Sequence, residues 1–305
     1  MLAGALGTVF LNNTAAIDAG DITAIDTAAV HISGASLAGG KAVRDGGSLH
    51  LNANKLMTIV DTTIQEAWAQ GEGGCVMVTG NTTLRFSNSK VSGCRAGQHG
   101  GGIRLVRTAQ LDLVNNSVTS NVAGLANSTV TSTAAGLAGN VTASAFGGGI
   151  AAKDASRVQL QGAIIQGNTA SLAAGGLALS GTSTLVVTGP DQTLVVNNTA
   201  GESGGGVRLL SPNFSPSLVS SLLLVANNSA PVSPDRAIGV WNITVVDDGG
   251  ADNVIASDSK DTMLVLTLNV SGPHGWPSDE AIGYTVYKGA ARHRDYVKAN
   301  TTCND

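Results

Sequence analysis

Aromatic side chains and charges are scarce in this 305-residue chain. Aromatic residues make up 3% of it and charged residues 12%, whereas a disordered chain carries more charge and fewer aliphatic side chains. Only 7 prolines accompany the 40 glycines, and the glycines do not recur at every third position, which excludes collagen. A net charge of −4 gives no electrostatic reason to bind nucleic acid. No apolar run reaches the roughly 18 residues of a bilayer span, so we expect no transmembrane segment.

The three cysteines have neither the spacing nor the histidine partners of a zinc site. Cys75 and Cys94 are a candidate disulfide pair, which would leave Cys303 unpaired near the end of the chain. The alternative is that all three cysteines are free thiols, either buried or without a role. Both possibilities remain open at the level of the sequence.

Glycine clusters recur along the chain and predict an internal repeat. They fall at Gly46-Gly47, Gly73-Gly74, Gly100 to Gly102, Gly147 to Gly149, Gly175-Gly176 and Gly204 to Gly206. The spacings are about 27 residues, except for one of 47 that contains a stretch rich in Ala, Ser and Thr near residues 124–146. We interpret this stretch as an inserted loop or a poorly formed extra coil.

A second motif, an apolar residue followed three positions later by Asn-x-Ala, keeps a constant phase with the glycines. Its asparagines are Asn13, Asn121, Asn168, Asn198 and Asn228. Two motifs in fixed phase indicate repetition. We expect both to mark bends, because glycine adopts a positive φ without cost and asparagine tolerates left-handed geometry. The predicted corner glycines are Gly101, Gly102, Gly148, Gly149, Gly175, Gly176, Gly205 and Gly206. The asparagines of successive turns are expected to form an internal amide ladder.

Between these markers the apolar residues alternate over three to five positions, as in Leu111 and Leu113. Such short strands pair stably only with their equivalents one repeat later, which predicts a coil of stacked parallel strands with aliphatic side chains inside. The expected fold is an all-β, right-handed parallel β-helix of the pectin-lyase-like type, with about 27 residues per rung. A β-sandwich is the competing fold. The segment from Thr63 to Gln70 is the only one given a possible helical turn.

The paired markers resemble the repeats of the polymorphic outer-membrane-protein family, which carry a GGA-[Ile/Leu/Val] element and an FxxN element. The matching segments are Gly101-Gly102-Ile103, Gly148-Gly149-Ile150, Gly175-Gly176-Leu177 and Gly205-Gly206-Val207 for the first element, and Phe10 to Asn13, Ile165 to Asn168 and Val195 to Asn198 for the second. The third glycine-element residue is not Ala, and Phe is mostly replaced by Val or Ile. The resemblance covers roughly residues 1 to 240 and implies a right-handed parallel β-helix with a surface or adhesin role.

The acceptor pattern Asn-x-Ser/Thr occurs far more often than chance predicts, which indicates a glycosylated extracellular or cell-surface protein. Part of the excess arises because Asn-Asn-Thr/Ser is itself an element of the repeat. The candidate glycosylation sites are Asn81, Asn127, Asn140, Asn197, Asn227, Asn242 and Asn269. The markers stop after residue 240, so we expect the β-helix to occupy residues 1–270 and a cap or linker to occupy residues 271–305.

Catalytic groups are hard to place on the predicted faces. The outward positions after the glycine clusters are predicted to be Val76, Arg104, Ala151, Ala178 and Arg208, and none is a carboxylate. His99 is interpreted as a turn residue, and Arg104 and Arg208 as solubilising. The cluster Asp247, Asp248 and Asp252 is a weak Ca²⁺ candidate, with a solvated Asp-Gly turn as the alternative.

The sequence therefore favours a non-catalytic extracellular or cell-surface repeat protein for adhesion, matrix structure or interaction, with no cofactor. Its expected partners are glycans or surface and matrix proteins, with self-association as a further possibility and no nucleic acid. The alternative is a polysaccharide lyase or glycoside hydrolase, which needs two carboxylates and a basic residue within roughly 6 to 10 Å on one face.

Overall fold

The computed structural model describes residues 7–27, 29–124, 145–210, 221–239, 283–288 and 291–296, and every regular element in these ranges is a β-strand. The strands in chain order are β1 Val9–Leu11, β2 Thr14–Ala15, β3 Ile22–Ile25, β4 Ala29–Ser33, β5 Ser36–Ala38, β6 Lys41–Ala42, β7 Leu49–Asn52, β8 Leu56–Val60, β9 Thr63–Gln65, β10 Trp68–Ala69, β11 Val76–Thr79, β12 Thr83–Ser87, β13 Lys90–Ser92, β14 Arg95–Ala96, β15 Ile103–Leu105, β16 Gln110–Val114, β17 Ser117–Thr119, β18 Val122–Ala123, β19 Ile150–Ala152, β20 Arg157–Gln161, β21 Ile164–Gln166, β22 Thr169–Ala170, β23 Leu177–Ser180, β24 Thr184–Val187, β25 Thr193–Val196, β26 Thr199–Ala200, β27 Val207–Leu210, β28 Leu223–Ala226, β29 Arg236–Gly239, β30 Gly283–Lys288 and β31 Ala291–Tyr296.

The first 29 strands form four parallel sheets that stack as a β-solenoid of about seven turns, with about 27 residues per turn. Sheet A has the order β1-β5-β9-β13-β17-β21-β25-β28, sheet B β2-β6-β10-β14-β18-β22-β26, sheet C β29-β27-β23-β19-β15-β11-β7-β3, and sheet D β24-β20-β16-β12-β8-β4. The chain visits them in the order C, D, A and B. Each strand pairs with its equivalent one turn away, as expected from the sequence.

The strands are short because each turn makes four bends, and they are stable because their inward side chains stack on like residues. In sheet D, Leu84 pairs in register with Met57 on one side and Leu111 on the other, and all three are fully buried. Among the residues that the structure describes, Phe86 is the largest side chain that is fully buried. The prediction of a helical turn from Thr63 to Gln70 is wrong, since β9 and β10 occupy this segment and Ile64 and Ala69 face the core.

Each bend contains a residue with a positive φ, and these residues form columns along the solenoid. At the bend between sheets A and B the column includes Asn12, Gly93, Asn197 and Asn227, with φ between 51° and 67°. At the bend between sheets B and C, Gly100 and Gly147 both have φ of 67°, whereas the two glycines that follow each of them have no positive φ.

The prediction that Gly101 and Gly148 are glycine because they need a positive φ is therefore wrong, and close packing is the reason instead. A Cβ on Gly101 would lie 2.4 Å from the carbonyl oxygen of Gly148, its equivalent in the next turn. Gly148, Gly175 and Gly205 have similarly close backbone neighbours. Glycine is required here because successive turns approach each other too closely for any side chain.

The long spacing near residues 124–146 is an insertion within one turn. Strand β15 pairs directly with β19, so no additional coil separates them. Ala123 and Ala145 meet in one buried cluster with Ala170. Residues 125–144 lie outside the described residues.

The chain divides into two compact units, residues 1–208 with 215–237, and residues 209–214 with 238–305. The first unit contains most of the solenoid. In the second unit, β30 and β31 form an antiparallel hairpin. The proposed limit at residue 270 lies outside the described residues and stays a prediction.

Candidate functional site

A column of acidic, histidine and phenylalanine side chains runs along the bend between sheets B and C, and we call it the loop ridge. It consists of Asp18, Asp45, Glu72, His99 and Phe146, one residue per turn. Each precedes the bend residue with the positive φ, which is Ala19 in the first turn and glycine in the next four. The constant backbone conformation places these five side chains, of four types, at equivalent positions.

The loop ridge lies against the outer face of sheet C and buries it. Met77, Arg104 and Ala151 pair in register as outward residues, and all three are at most 6% exposed. The prediction that Val76 faces outward is wrong, because Val76 pairs with the fully buried Ile103 and faces the core. Sheet C thus has side chains packed on both faces.

Arg44 joins the first two acidic residues of the ridge. Its Nε donates to Asp18 Oδ1 at 2.8 Å, and the same Nε lies 3.8 Å from Asp45 Oδ2. His50 Nδ1, on sheet C, lies 3.1 Å from Asp18 Oδ2. Arg44 thus links the carboxylates of two successive turns, and Asp18 also contacts the imidazole of His50.

The environments of these two carboxyl groups move their pKa values in opposite directions. Burial alone would raise the pKa of Asp18, but the hydrogen bond from Arg44 and the positive charges of His50 and Arg44 lower it below its ordinary value. Burial raises the pKa of Asp45, and the charges of Glu72 and Asp18 add to the increase, against a hydrogen bond from the Glu72 N–H at 2.8 Å. Asp18 is accordingly the stronger acid of the two.

Glu72 forms the next contact along the ridge. Its Oε2 lies 3.1 Å from Arg104 Nε, and its Oε1 lies 3.9 Å from His99 Nε2. Arg104 is only 5% exposed, so the interpretation of this arginine as a solubilising surface residue is wrong. A buried arginine of this kind needs its carboxylate partner, because an unpaired charge at this depth costs several kcal/mol.

His99 is held as a neutral imidazole in the bend. Its Nδ1 accepts the Phe146 N–H at 3.2 Å, and the two rings lie 5.1 Å apart. Burial, followed by the positive charges of Arg104 and Lys153, lowers the pKa of His99 to about 4. The guanidinium of Arg208 lies over the Phe146 ring, with its central carbon 5.8 Å from the ring centre.

The predicted corner asparagines form a ladder inside the solenoid. The backbone N–H and Nδ2 of Asn168 both donate to Asn198 Oδ1 at 2.9 Å, and Asn121 and Asn198 donate in the same way to Asn168 and Asn228. The ladder ends at Asp235, which accepts from Asn228. Asn13 lies outside this ladder, exposed, and donates to Asp21 Oδ1.

The asparagine and glycine motifs are in direct contact. A Cβ on Gly102 would lie 3.0 Å from Asn121 Nδ2, and the equivalent distances are 3.0 Å for Gly149 to Asn168 and 2.6 Å for Gly206 to Asn228. Gly176 faces Asn198 in the same way, at 3.0 Å. One turn before Gly102 and Asn121, the same two positions hold Cys75 and Cys94, which are joined by a disulfide with a Cα–Cα distance of 5.4 Å. Both cysteines are completely buried.

The sequons that the structure describes lie at bends. Asn81, Asn115, Asn197 and Asn227 are exposed, and so is Asn12. In each Asn-Asn-Thr/Ser segment the first asparagine lies on the outside with a positive φ, while the second forms part of the interior or of the bend. Asn127, Asn140, Asn242 and Asn269 lie outside the described residues.

No group of three or more His, Cys, Asp or Glu side chains within the described ranges is arranged to hold a metal ion. Asp247, Asp248 and Asp252 fall outside those ranges.

In the part of the chain that the structure describes, no helix has the length and apolar character of a membrane span. A surface depression of about 380 Å³ lies at the bend between sheets D and A, near Asn88, Lys90 and Asn115.

The sequence reasoning missed the loop ridge because it searched the strands for carboxylates. Asp18, Asp45, Glu72 and His99 follow one another at a constant interval of one turn, and each lies directly before the bend position. Alignment of the repeats on the residue before the bend is the signal that would have found them.

Comparison of the chain with known protein families, with curated proteins and with solved structures yields no match. The fold itself is assigned from the strand pairing alone: the chain is an all-β parallel solenoid.

Proposed function

We propose that this chain is a non-catalytic extracellular or cell-surface repeat protein that serves adhesion, matrix structure or interaction with glycans, proteins or its own copies. The observation that carries the proposal is the completely buried Cys75–Cys94 disulfide. Structural disulfides persist in oxidising compartments and are rare in the cytosol. The exposed sequon asparagines at the bends agree with passage through a secretory route.

The arrangement of charge supports a binding role over a catalytic one. Asp18 is paired with Arg44, and Glu72 is paired with Arg104. Such pairs stabilise the bends against sheet C and leave few free groups for proton transfer to a substrate. The solenoid also offers long, flat outer faces, which suit extended ligands.

We also propose that the solenoid is a right-handed, pectin-lyase-like β-helix similar to the repeats of polymorphic outer-membrane proteins. The contact between the glycine and asparagine elements supports it, since it gives a physical reason for the two motifs to recur in phase. A crystal structure would test it through the handedness of the coil.

The main proposal is tested with the purified full chain, secreted from a eukaryotic host. We expect Cys75 and Cys94 to be oxidised in peptide mapping, and we expect binding on glycan or matrix-protein arrays without turnover. Absence of binding on both arrays, together with measurable cleavage of any glycan, would overturn it.

One observation favours a second candidate, a polysaccharide-cleaving enzyme. Asp18 and Asp45 lie on either side of Arg44, and their pKa values are moved apart, which is the pattern of an acid and base pair. The test is product formation from a panel of polysaccharides, with Asp45→Asn as the variant that must abolish it. Equal product from the variant, or none from either protein, rejects this candidate.

A further inference from the structure

The outer face of sheet B carries one aromatic side chain between two cations. Its strands are two residues long, and the second residue is an almost completely buried alanine in Ala42, Ala69 and Ala96. Because side chains alternate along a strand, the first residue of each faces outward. These outward residues are Lys41, Trp68 and Arg95, and we call them the sheet B row.

The register brings the three side chains of the row next to each other. Trp68 pairs directly with Lys41 on one side and with Arg95 on the other. Adjacent parallel strands lie about 4.8 Å apart, so the backbone positions of Lys41 and Arg95 flank that of Trp68 and are roughly 10 Å from each other along the solenoid. Trp68 is half-buried, while Lys41 and Arg95 are exposed.

The two cations are free to bind a ligand. Arg44, Arg85 and Arg104 are each paired with a carboxylate, but neither Lys41 nor Arg95 has an ion-pair partner among the described residues. The acid closest to Trp68 in the chain is Glu66, which is exposed at the preceding bend and makes no ion pair with Arg95 in the described turns.

The row is confined to three consecutive turns. The other outward residues of sheet B strands are Thr14, Val122, Thr169 and Thr199, which have neither charge nor ring. A requirement of the fold alone would not select an aromatic residue and two cations here, because the other turns keep the same backbone register with small neutral side chains.

We propose that the sheet B row binds an anionic polysaccharide, a chain of uronic-acid or sulfated sugars that runs along the solenoid. The apolar C–H face of a sugar ring packs on the indole, whose ring face carries negative charge density. Carboxylate or sulfate groups on the neighbouring sugars accept charge-assisted hydrogen bonds from Lys41 and Arg95. The inference rests on the proposed function, in which glycans are among the ligands, and it names their chemical class.

Nucleic acid is the competing ligand, since bases also stack on aromatic rings and phosphates also bind cations. The chain has a net charge of −4, and the row provides only two cations, which disfavours a highly charged backbone. Single-stranded DNA is therefore included in the experiment as a separate ligand.

The test is titration calorimetry of the full chain with oligomers of polygalacturonate and of heparin, with dextran as the neutral sugar. We expect one or both anionic sugars to bind, the affinity to fall with added salt, and dextran to bind at least tenfold more weakly. Trp68→Ala should lower the affinity about tenfold, and Lys41→Ala and Arg95→Ala about threefold each. Trp68→Phe, which keeps a ring, should retain part of the affinity.

Lys90→Ala is the matched control, since Lys90 is exposed on sheet A and equally cationic. It should bind as the wild type does, and the Lys41, Lys90 and Arg95 variants should keep the wild-type unfolding midpoint. Unchanged anionic-sugar binding by Trp68→Ala, or tighter binding of DNA than of either sugar, would overturn the inference. If glycans bind but the row variants have no effect, only this inference fails; if neither array shows binding and a glycan is cleaved, the proposed function fails with it.

Discussion

Cys75 and Cys94 occupy the two facing positions that Gly102 and Asn121 occupy one turn later in the solenoid. The bonded cysteines fill the space that the asparagine amide fills elsewhere against a glycine. Two different chemistries therefore occupy the same place in the solenoid: a disulfide that links two bends of one turn, and a ladder of four asparagine amides that joins the turns that follow.

The disulfide is expected to contribute substantially to stability. Its loop spans a sequence separation of 19, for which loss of the bond costs about 3 kcal/mol. Cys75→Ser with Cys94→Ser should lower the urea midpoint accordingly, whereas Cys303→Ser should leave it unchanged. The replacement Cys75→Gly with Cys94→Asn should recover part of the loss, because it extends the ladder from Asn121. If this replacement is no more stable than the double serine variant, the two pairs are not equivalent.

The interior amides should matter more than the exposed asparagines beside them. Asn168→Ala removes the acceptor for Asn121 and leaves buried donors unpaired, which should cost about 2–4 kcal/mol of unfolding free energy. Asn197→Gly is the control, since glycine adopts the φ of 56° at this exposed bend without strain. Denaturant titration of both variants distinguishes them, and equal effects would contradict the ladder.

Leu179 faces the core of sheet C and is 1% exposed. Leu179→Asp places an unpaired charge among stacked aliphatic side chains, so we expect a loss of more than about 4 kcal/mol or local unfolding of the turn. Thr184→Asp, on an exposed position of the next strand, is the control and should have little effect. Circular dichroism and thermal melting of the two proteins provide the measurement; an unchanged melt for the Leu179 variant would mean that this residue faces outward.

His99 should make the fold sensitive to mild acid. Its pKa is about 4 in the folded chain and near 6.5 when unfolded, so the unfolded chain takes up a proton first as the pH falls. Stability that is present above pH 6.5 is therefore lost progressively down to about pH 4. His99→Gln should weaken this dependence, and His31→Gln, an exposed change on sheet D, should not. Unfolding midpoints measured between pH 7.5 and 4 decide this, and parallel curves for wild type and His99→Gln would contradict it.

Asn197 and Asn227 lie at equivalent bends of adjacent turns, about 4.8 Å apart. Two branched N-glycans attached at that spacing would crowd each other on one face of the solenoid. Intact-protein mass spectrometry after secretion should find molecules with a glycan at one of the two sites but not at both. Asn227→Gln should raise the occupancy of Asn197. Double occupancy in the folded protein would exclude the predicted spacing.

The period, the inward aliphatic residues and the recurrence of Gly and Asn could be predicted because each depends on the local sequence of one turn. Which side chains of sheet C point outward could not be predicted. Counting two residues from the last glycine of each cluster places Val76 beside Arg104, but Cys75 holds the position of Gly102, so Met77 is the true equivalent. Because a cysteine replaces the last glycine of the motif in this turn, the count from the glycines is one residue short.

The loop ridge was hidden for a different reason. Its five members share a backbone position but have four side-chain types, so Asp45 and His99 do not look alike as motif residues. Their contacts with Arg44, Arg104 and Phe146 come from neighbouring turns and depend on the stacking, which only the assembled solenoid provides.

The bend between sheets B and C tolerates extra chain without loss of strand pairing. Twenty residues, 125–144, are inserted between β18 and β19. Strands β15 and β19 nevertheless pair in register, as the equivalent strands of other turns do. Foreign peptides grafted at this junction should be displayed on a rigid scaffold whose remaining turns continue to fold, which makes this one bend a natural attachment point for engineering and for evolutionary novelty.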